Sequence, residues 1–147
     1  MQTFLPFPDL KLSALSLDKR RVFKQVIEAR QIIDALTNPL SNSYRFRNHP
    51  AVKMWSGYTE FLKQYYNVLL EVCLNKWKIN TKYKYLTVDS IILPWWWNND
   101  NFHNSHKARL LEKDYSYYSQ TIGIEYINFN NSKYWWPDTE TKTFKII

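Results

Sequence analysis

The sequence predicts a mainly α, single compact domain of three principal helices with an irregular, aromatic-rich C-terminal extension. Three observations lead there. Residues 18–36 and 49–76 each repeat apolar side chains at the three- and four-residue spacing that lines one helix face. Two glycines, Gly57 and Gly123, are too few for a sheet of tight hairpins or for a glycine-rich phosphate loop. A chain of 147 residues can bury one core, and no linker, internal repeat or heptad pattern divides residues 1–147.

Taken in order, the first helix spans 18–36, with Ser16 or Asp18 as its cap. Val22, Val26, Ala29, Ile33 and Leu36 form its apolar stripe, and Arg21, Lys24, Gln25, Glu28 and Gln31 fall on another face. Residues 37–48 read as a loop. A second helix runs from about His49 to Lys76, capped by Asn48, with Pro50 in the first turn where no amide donor is needed. Its stripe is Ala51, Trp55, Tyr58, Leu62, Tyr65, Leu69 and Cys73, and Gly57 allows a bend. Residues 77–102 are irregular, with a strand-like run at 85–93 followed by PWWWNNDNF. A third helix starts near Asn104 and continues through HKARLLEKDYSYYS, and the tail from about Gln120 wraps against the core.

The net charge of +7 and an isoelectric point near 9.4 favour acidic partners, nucleic acid first and anionic membrane second. An AT-rich genome would inflate Lys, Asn, Ile, Tyr and Phe together, but it does not explain seven tryptophans. The lone cysteine, Cys73, sits in an apolar helical pattern and excludes a disulfide framework. The start MQTFLPFPDL lacks the cationic segment and long apolar run of a secretory signal, and no run approaches 18 apolar residues. These features predict a soluble, monomeric protein of the cytoplasm, or of the host cytoplasm or nucleus if it is viral.

Glu28 is the only acid on the basic face of the first helix, where it is either a structural ion or a catalytic carboxylate. As a structural pair with Lys24, four residues away, it would contribute only a few tenths of a kcal/mol. Lys19, Arg20, Arg21 and Lys24 oppose the helix dipole at this end, so helix stability does not explain them, whereas phosphates would. Arg45, Arg47 and His49 form a second cationic cluster at a loop-to-helix junction, either a phosphate clamp or an exposed basic loop. Asp100, His103 and His106 step by three residues, a spacing compatible with metal ligation. With only three histidines and no Cys/His pattern, the preferred readings are that His103 caps the helix or contacts phosphate and that His106 lies on its inner face. Lys107 and Arg109 extend the positive surface. The aromatic runs at Trp95–Trp97, Tyr115–Tyr118 and Trp135–Trp136 belong mostly to the core, with one or two free to stack on bases.

The motifs LDKRRVFKQVIEARQI, NHPAVKMWSGY and FHNSHKARLLEKD match the patterns LDxxRxxKQxxEAxQI, NHPAVxMWxGY and FHxSHxxxLLxKD. Through them the chain resembles a little-characterised branch of the pyrimidine-dimer DNA glycosylases, the phage endonuclease V type, over roughly residues 17–120. EFLKQYYNVLLEVCLNKW and ARLLEKDYSYYSQ resemble the characterised enzymes more loosely. The resemblance implies that an N-terminal α-amine attacks the sugar C1′, that a Schiff base forms and that β-elimination cuts the strand. Glu28 falls at the family's essential glutamate, and Arg21 falls where the family has a histidine. α-Amines titrate near about 7.7–8.0, so a neutral, nucleophilic fraction exists at physiological pH. A neighbouring carboxylate stabilises an oxocarbenium-like centre and later moves protons on the opened sugar.

The chain departs from the family at Gln2, where a small residue normally permits methionine removal. The bulk of Gln2 predicts that Met1 is retained and supplies the amine. The amine then lies several residues further from Glu28, with Pro6 and Pro8 between. Either the longer strand folds back into the site or the imine chemistry is lost. The expected function is therefore removal of a pyrimidine dimer or another damaged or modified base from double-stranded DNA, with or without strand cleavage. Met1 and Glu28 would be catalytic. Arg20, Arg21, Lys24, Arg45, Arg47 and His49 would form most of the DNA surface, edged by His103, His106 and Arg109. No metal or organic cofactor is expected. The alternatives are a non-catalytic DNA-binding module, a metal-dependent nuclease using Asp100, His103 and His106, and a protein-interaction role for the aromatics.

Overall fold

A computed structural model describes residues 1–147 and contains six α-helices, two 3-10 turns and one two-stranded sheet. The first helix, α1 (Leu10–Ser16), is capped by Asp9, whose carboxylate accepts the Leu12 amide at 2.8 Å. Sequence periodicity missed it, because seven residues are two turns and show no repeat. The second, α2 (Lys19–Thr37), follows the expectation closely. Asp18 rather than Ser16 is its cap, and Val22, Val26, Ala29 and Ile33 are buried. A 3-10 turn (Asn42–Phe46) occupies the expected loop.

The expected second long helix is divided in two, α3 (Pro50–Lys53) and α4 (Thr59–Asn75). Gly57 lies between them at φ +87°, a left-handed conformation that favours glycine and cannot continue a helix. His49, not Asn48, caps α3 by accepting the Ala51 amide at 3.0 Å, and Pro50 stands in the first turn as expected. On α4, Leu62, Tyr65, Leu69 and Cys73 all point inward. Burial pushes the Cys73 thiol up to about 11, consistent with a packing role.

The strand-like run at 85–93 forms no strand. Near its start it lies against α4, where side chains of that helix meet its backbone. Tyr66 donates to the Lys84 carbonyl at 2.8 Å, and Asn67 both donates to and accepts from Leu86 at 2.8 Å. Next come α5 (Asp100–Lys113) and α6 (Tyr115–Thr121). The former starts four residues before the expected Asn104, because the Asn99 side chain caps it through the Phe102 amide at 2.9 Å. Asp114 ends α5 in a non-helical conformation and caps α6 through the Tyr117 amide. After a second 3-10 turn (Phe129–Ser132), the tail forms an antiparallel hairpin of β1 (Trp135–Asp138) and β2 (Thr143–Ile146), with Trp135 opposite Ile146. The tail therefore contains regular structure that the sequence reading left as an extension.

One core cluster of 27 buried residues joins α2, α4 and α5 and includes the fully buried Trp96. The Trp96 ring packs edge-on to Trp55 at 5.0 Å and against Phe102 at 4.9 Å, and its indole N–H donates to the Met54 carbonyl. Residues 2–6 are buried as well, a segment outside any helix or sheet that is bonded to α2, α4 and α5. No helix is long and apolar enough to cross a membrane.

Because nothing lies within 4 Å of the Cβ that Gly57→Ala would add, the substitution tests backbone strain alone. It should cost about 1 kcal/mol of stability, read by denaturant melts with an unchanged slope.

Candidate active site

The buried N-terminal segment has no strand neighbour, yet buried backbone groups need partners. Side chains from three helices supply them. From α2, the Gln25 carboxamide oxygen accepts the Phe4 amide at 2.8 Å, and its nitrogen donates to the Gln2 carbonyl at 2.8 Å. From α4, the Tyr65 hydroxyl donates to the Phe4 carbonyl. From α5, His103 Nδ1 donates to the Leu5 carbonyl at 2.7 Å, and His106 Nδ1 accepts the Leu5 amide at 3.0 Å. The Trp55 indole N–H also donates to the Thr3 hydroxyl at 3.2 Å.

Held this way, the longer strand does fold back. The Met1 α-amine stands 4.0 Å from Glu28 Oε1, with the two side chains only 8% and 15% exposed. The same Gln25 nitrogen that holds Gln2 donates to Glu28 Oε2 at 2.9 Å, so one amide positions both the strand and the carboxylate. Burial raises the Glu28 pKa, and it prevails over the opposing pull of the amine, Lys24, the Gln2 amide and Gln25. A carboxyl with a raised pKa holds a proton more readily than a free one, which suits acid–base chemistry.

Met1 and Glu28 lie in a concave pocket of about 560 Å³. Arg20, Arg21, Lys24 and Lys113 supply its cations, and Tyr134 of the tail forms part of its wall. Arg21 is already paired with Asp18 at 3.1 Å and stacks over Tyr118 at 5.7 Å, whereas Arg20 and Lys24 are exposed. His49 is half-buried, and its pKa is lowered by burial and then by the nearby amino terminus. Its ring meets Trp136 edge-on at 6.4 Å. Arg45 on the 3-10 turn and Arg47 just after it are exposed and fold over Phe46 and Tyr44. Arg47 lines a second hollow of about 390 Å³ with Lys53, Trp136 and Lys145. Tyr134 and Trp136, 5.4 Å apart, link the two hollows.

Three expected surface residues are placed elsewhere. His103 and His106 are each 2% exposed, and both meet the Leu5 backbone rather than solvent. Nothing local in the sequence distinguishes a buried His103, since its partner lies 98 residues away. Arg109 is half-buried, donates to the Ser132 carbonyl at 3.2 Å and lies 4.6 Å from the Tyr134 ring, tying down the tail. Asp100, His103 and His106 do not converge on a common metal position. Sequence reasoning did not single out Gln25, Tyr65, Lys113 or Tyr134 for the site. Gln25 lay on the Glu28 face, and the three-residue step between them was the available signal.

The histidine pair makes stability pH-dependent. Burial, with His103 adding to it, pushes His106 down to about 3, and burial lowers His103 too. A depressed histidine pKa stabilises the fold above the unfolded value of about 6.5, and that stability is lost as pH falls toward the folded value. Between pH 7 and pH 4 the protein should lose about 2–4 kcal/mol through His106. His106→Asn, which keeps an acceptor but cannot titrate, should flatten this acid limb in urea melts.

A profile for pyrimidine dimer DNA glycosylases matches residues 1–85, more than half of the chain, including Met1, Glu28 and all of α1 to α4. No curated protein and no solved structure gives a match. On the family match, with the fold and the pocket described above, the chain belongs to the pyrimidine dimer DNA glycosylase family.

Proposed function

We propose that residues 1–147 act as one helical domain that excises a pyrimidine dimer or another damaged base from double-stranded DNA and then cleaves the strand through an imine on Met1. The observation that carries this reading is the α-amine 4.0 Å from a half-buried carboxylate in a cation-walled pocket. The neutral amine attacks C1′, the glycosidic bond breaks, and the base leaves with a proton. Glu28 stabilises the positive charge that develops on the sugar. Ring opening gives the imine. Removal of a C2′ proton by the Glu28 carboxylate then expels the 3′-phosphate by β-elimination, and water releases the enzyme.

Arg20, Arg21 and Lys24 would hold phosphates around the extruded nucleotide, with Arg45, Arg47 and His49 extending that surface. Lys113, which the pocket adds to the expected set, belongs with them. The chemistry needs only groups of this chain and water, so a chelator should leave activity unchanged. That outcome separates the proposal from metal-dependent cleavage.

Borohydride added to the protein with abasic-site DNA should trap a covalent complex, and a UV-irradiated duplex should be trapped as well. Glu28→Gln should lower strand cleavage by about 100-fold or more while salt-sensitive DNA binding persists. Because its pKa is raised, Glu28 contributes most to stability below its unfolded value near 4.5, and that contribution is lost as pH rises through the folded value. Glu28→Gln should therefore melt at or above the wild-type temperature at pH 8. A large destabilisation there, or unchanged cleavage, would remove Glu28 from the mechanism.

A further inference from the structure

The FHNSH segment has no task in the chemistry just described, since both of its histidines are buried. Their geometry assigns one. The i,i+3 spacing puts His103 and His106 on one face of α5, and both act on one residue of the N-terminal strand. His103 Nδ1 donates to the Leu5 carbonyl, which fixes its tautomer and leaves its Nε2 buried without a partner. His106 Nδ1 accepts the Leu5 amide. In an extended strand the N–H and C=O of one residue point to the same side, so the next equivalent pair lies two residues away, a slip of about 6.6 Å.

The neighbouring sequence blocks that slip. Pro6 and Pro8 have no amide hydrogen to offer, and the Phe7 amide is already donated to Ser13 Oγ at 3.0 Å. In the other direction, the Thr3 amide is donated to Gln2 Oε1 at 2.7 Å. Leu5 is thus the one residue from Thr3 to Pro8 whose two backbone groups both meet the pair.

We propose that His103 and His106 are positioning residues that clip the strand at Leu5 and so set how far the Met1 amine reaches toward Glu28. This deepens the imine reading and rests on it. The clip fixes the reach of the segment whose amine stands 4.0 Å from the Glu28 carboxylate. Gln25 then refines the last three residues, while the clip excludes the wrong register.

The test compares His106→Leu with His106→Asn, and His103→Leu with His103→Asn. Leucine fills the space but leaves Leu5 unpaired, whereas asparagine restores an acceptor at 106 or a donor at 103. Two quantities are read for each protein. One is the single-turnover rate of borohydride trapping at saturating abasic DNA. The other is the rate at which an aldehyde reagent selective for α-amines labels Met1.

In the leucine variants, trapping should slow by about tenfold or more with DNA affinity unchanged, and amine labelling should speed up. The asparagine variants should recover both rates. Unchanged labelling and trapping in folded leucine variants would overturn the clip. Equal loss in leucine and asparagine variants, with affinity falling in step, would overturn it in favour of a purely structural role. If the wild-type protein forms no adduct, the imine reading fails, and labelling alone still decides whether the clip sets the strand.

Discussion

Everything in the site depends on one constraint: a buried, unpaired strand must have its backbone hydrogen bonds satisfied. An orphaned buried amide or carbonyl costs about 1–3 kcal/mol, and residues 2–6 have no sheet to join. Gln25, Tyr65, His103 and His106 provide the missing partners from three different helices. Trp55, which packs edge-on to Trp96, also donates to the Thr3 hydroxyl, so the segment is tied to the aromatic core. Packing and positioning are therefore one arrangement, and loosening the strand loosens the end of the core that carries the amine.

The electrostatics follow from the same burial. Glu28 is drawn upward because it is desolvated and downward by the amine and Lys24, and burial prevails. The cations divide by environment. Arg21 is held by Asp18 and Tyr118, while Arg20 and Lys24 remain exposed and free to meet phosphate. The tail closes the pocket with Tyr134, which Arg109 braces from behind α5. Tyr134 lies beyond residues 1–85, the span that the family profile matches.

How much of this the sequence disclosed depends on the range of each interaction. The stripes of α2 and α4 were legible because helical periodicity is local, and the stripe residues of α2 placed Glu28 on its correct face. The break at Gly57 was visible only as a possible bend, since a left-handed residue ends a helix where tertiary packing selects it. The run at 85–93 alternates like a strand, but its partners proved to be side chains of α4. His103 and Arg109 were misplaced for a related reason. A buried histidine and a surface one look alike in sequence, and their partners, Leu5 and the tail, lie far along the chain. Gln2 and the two prolines correctly posed the question of reach, which only the threaded strand could answer.

The central claim is that the strand delivers the Met1 amine as the nucleophile, in a pocket that also contains the amines of Lys24 and Lys113. Tryptic mapping of the borohydride-reduced adduct by mass spectrometry tests it directly. The account predicts that the sugar remnant sits on Met1, within the peptide ending at Lys11. A remnant on Lys24 or Lys113, with the Met1 peptide unmodified, would contradict it.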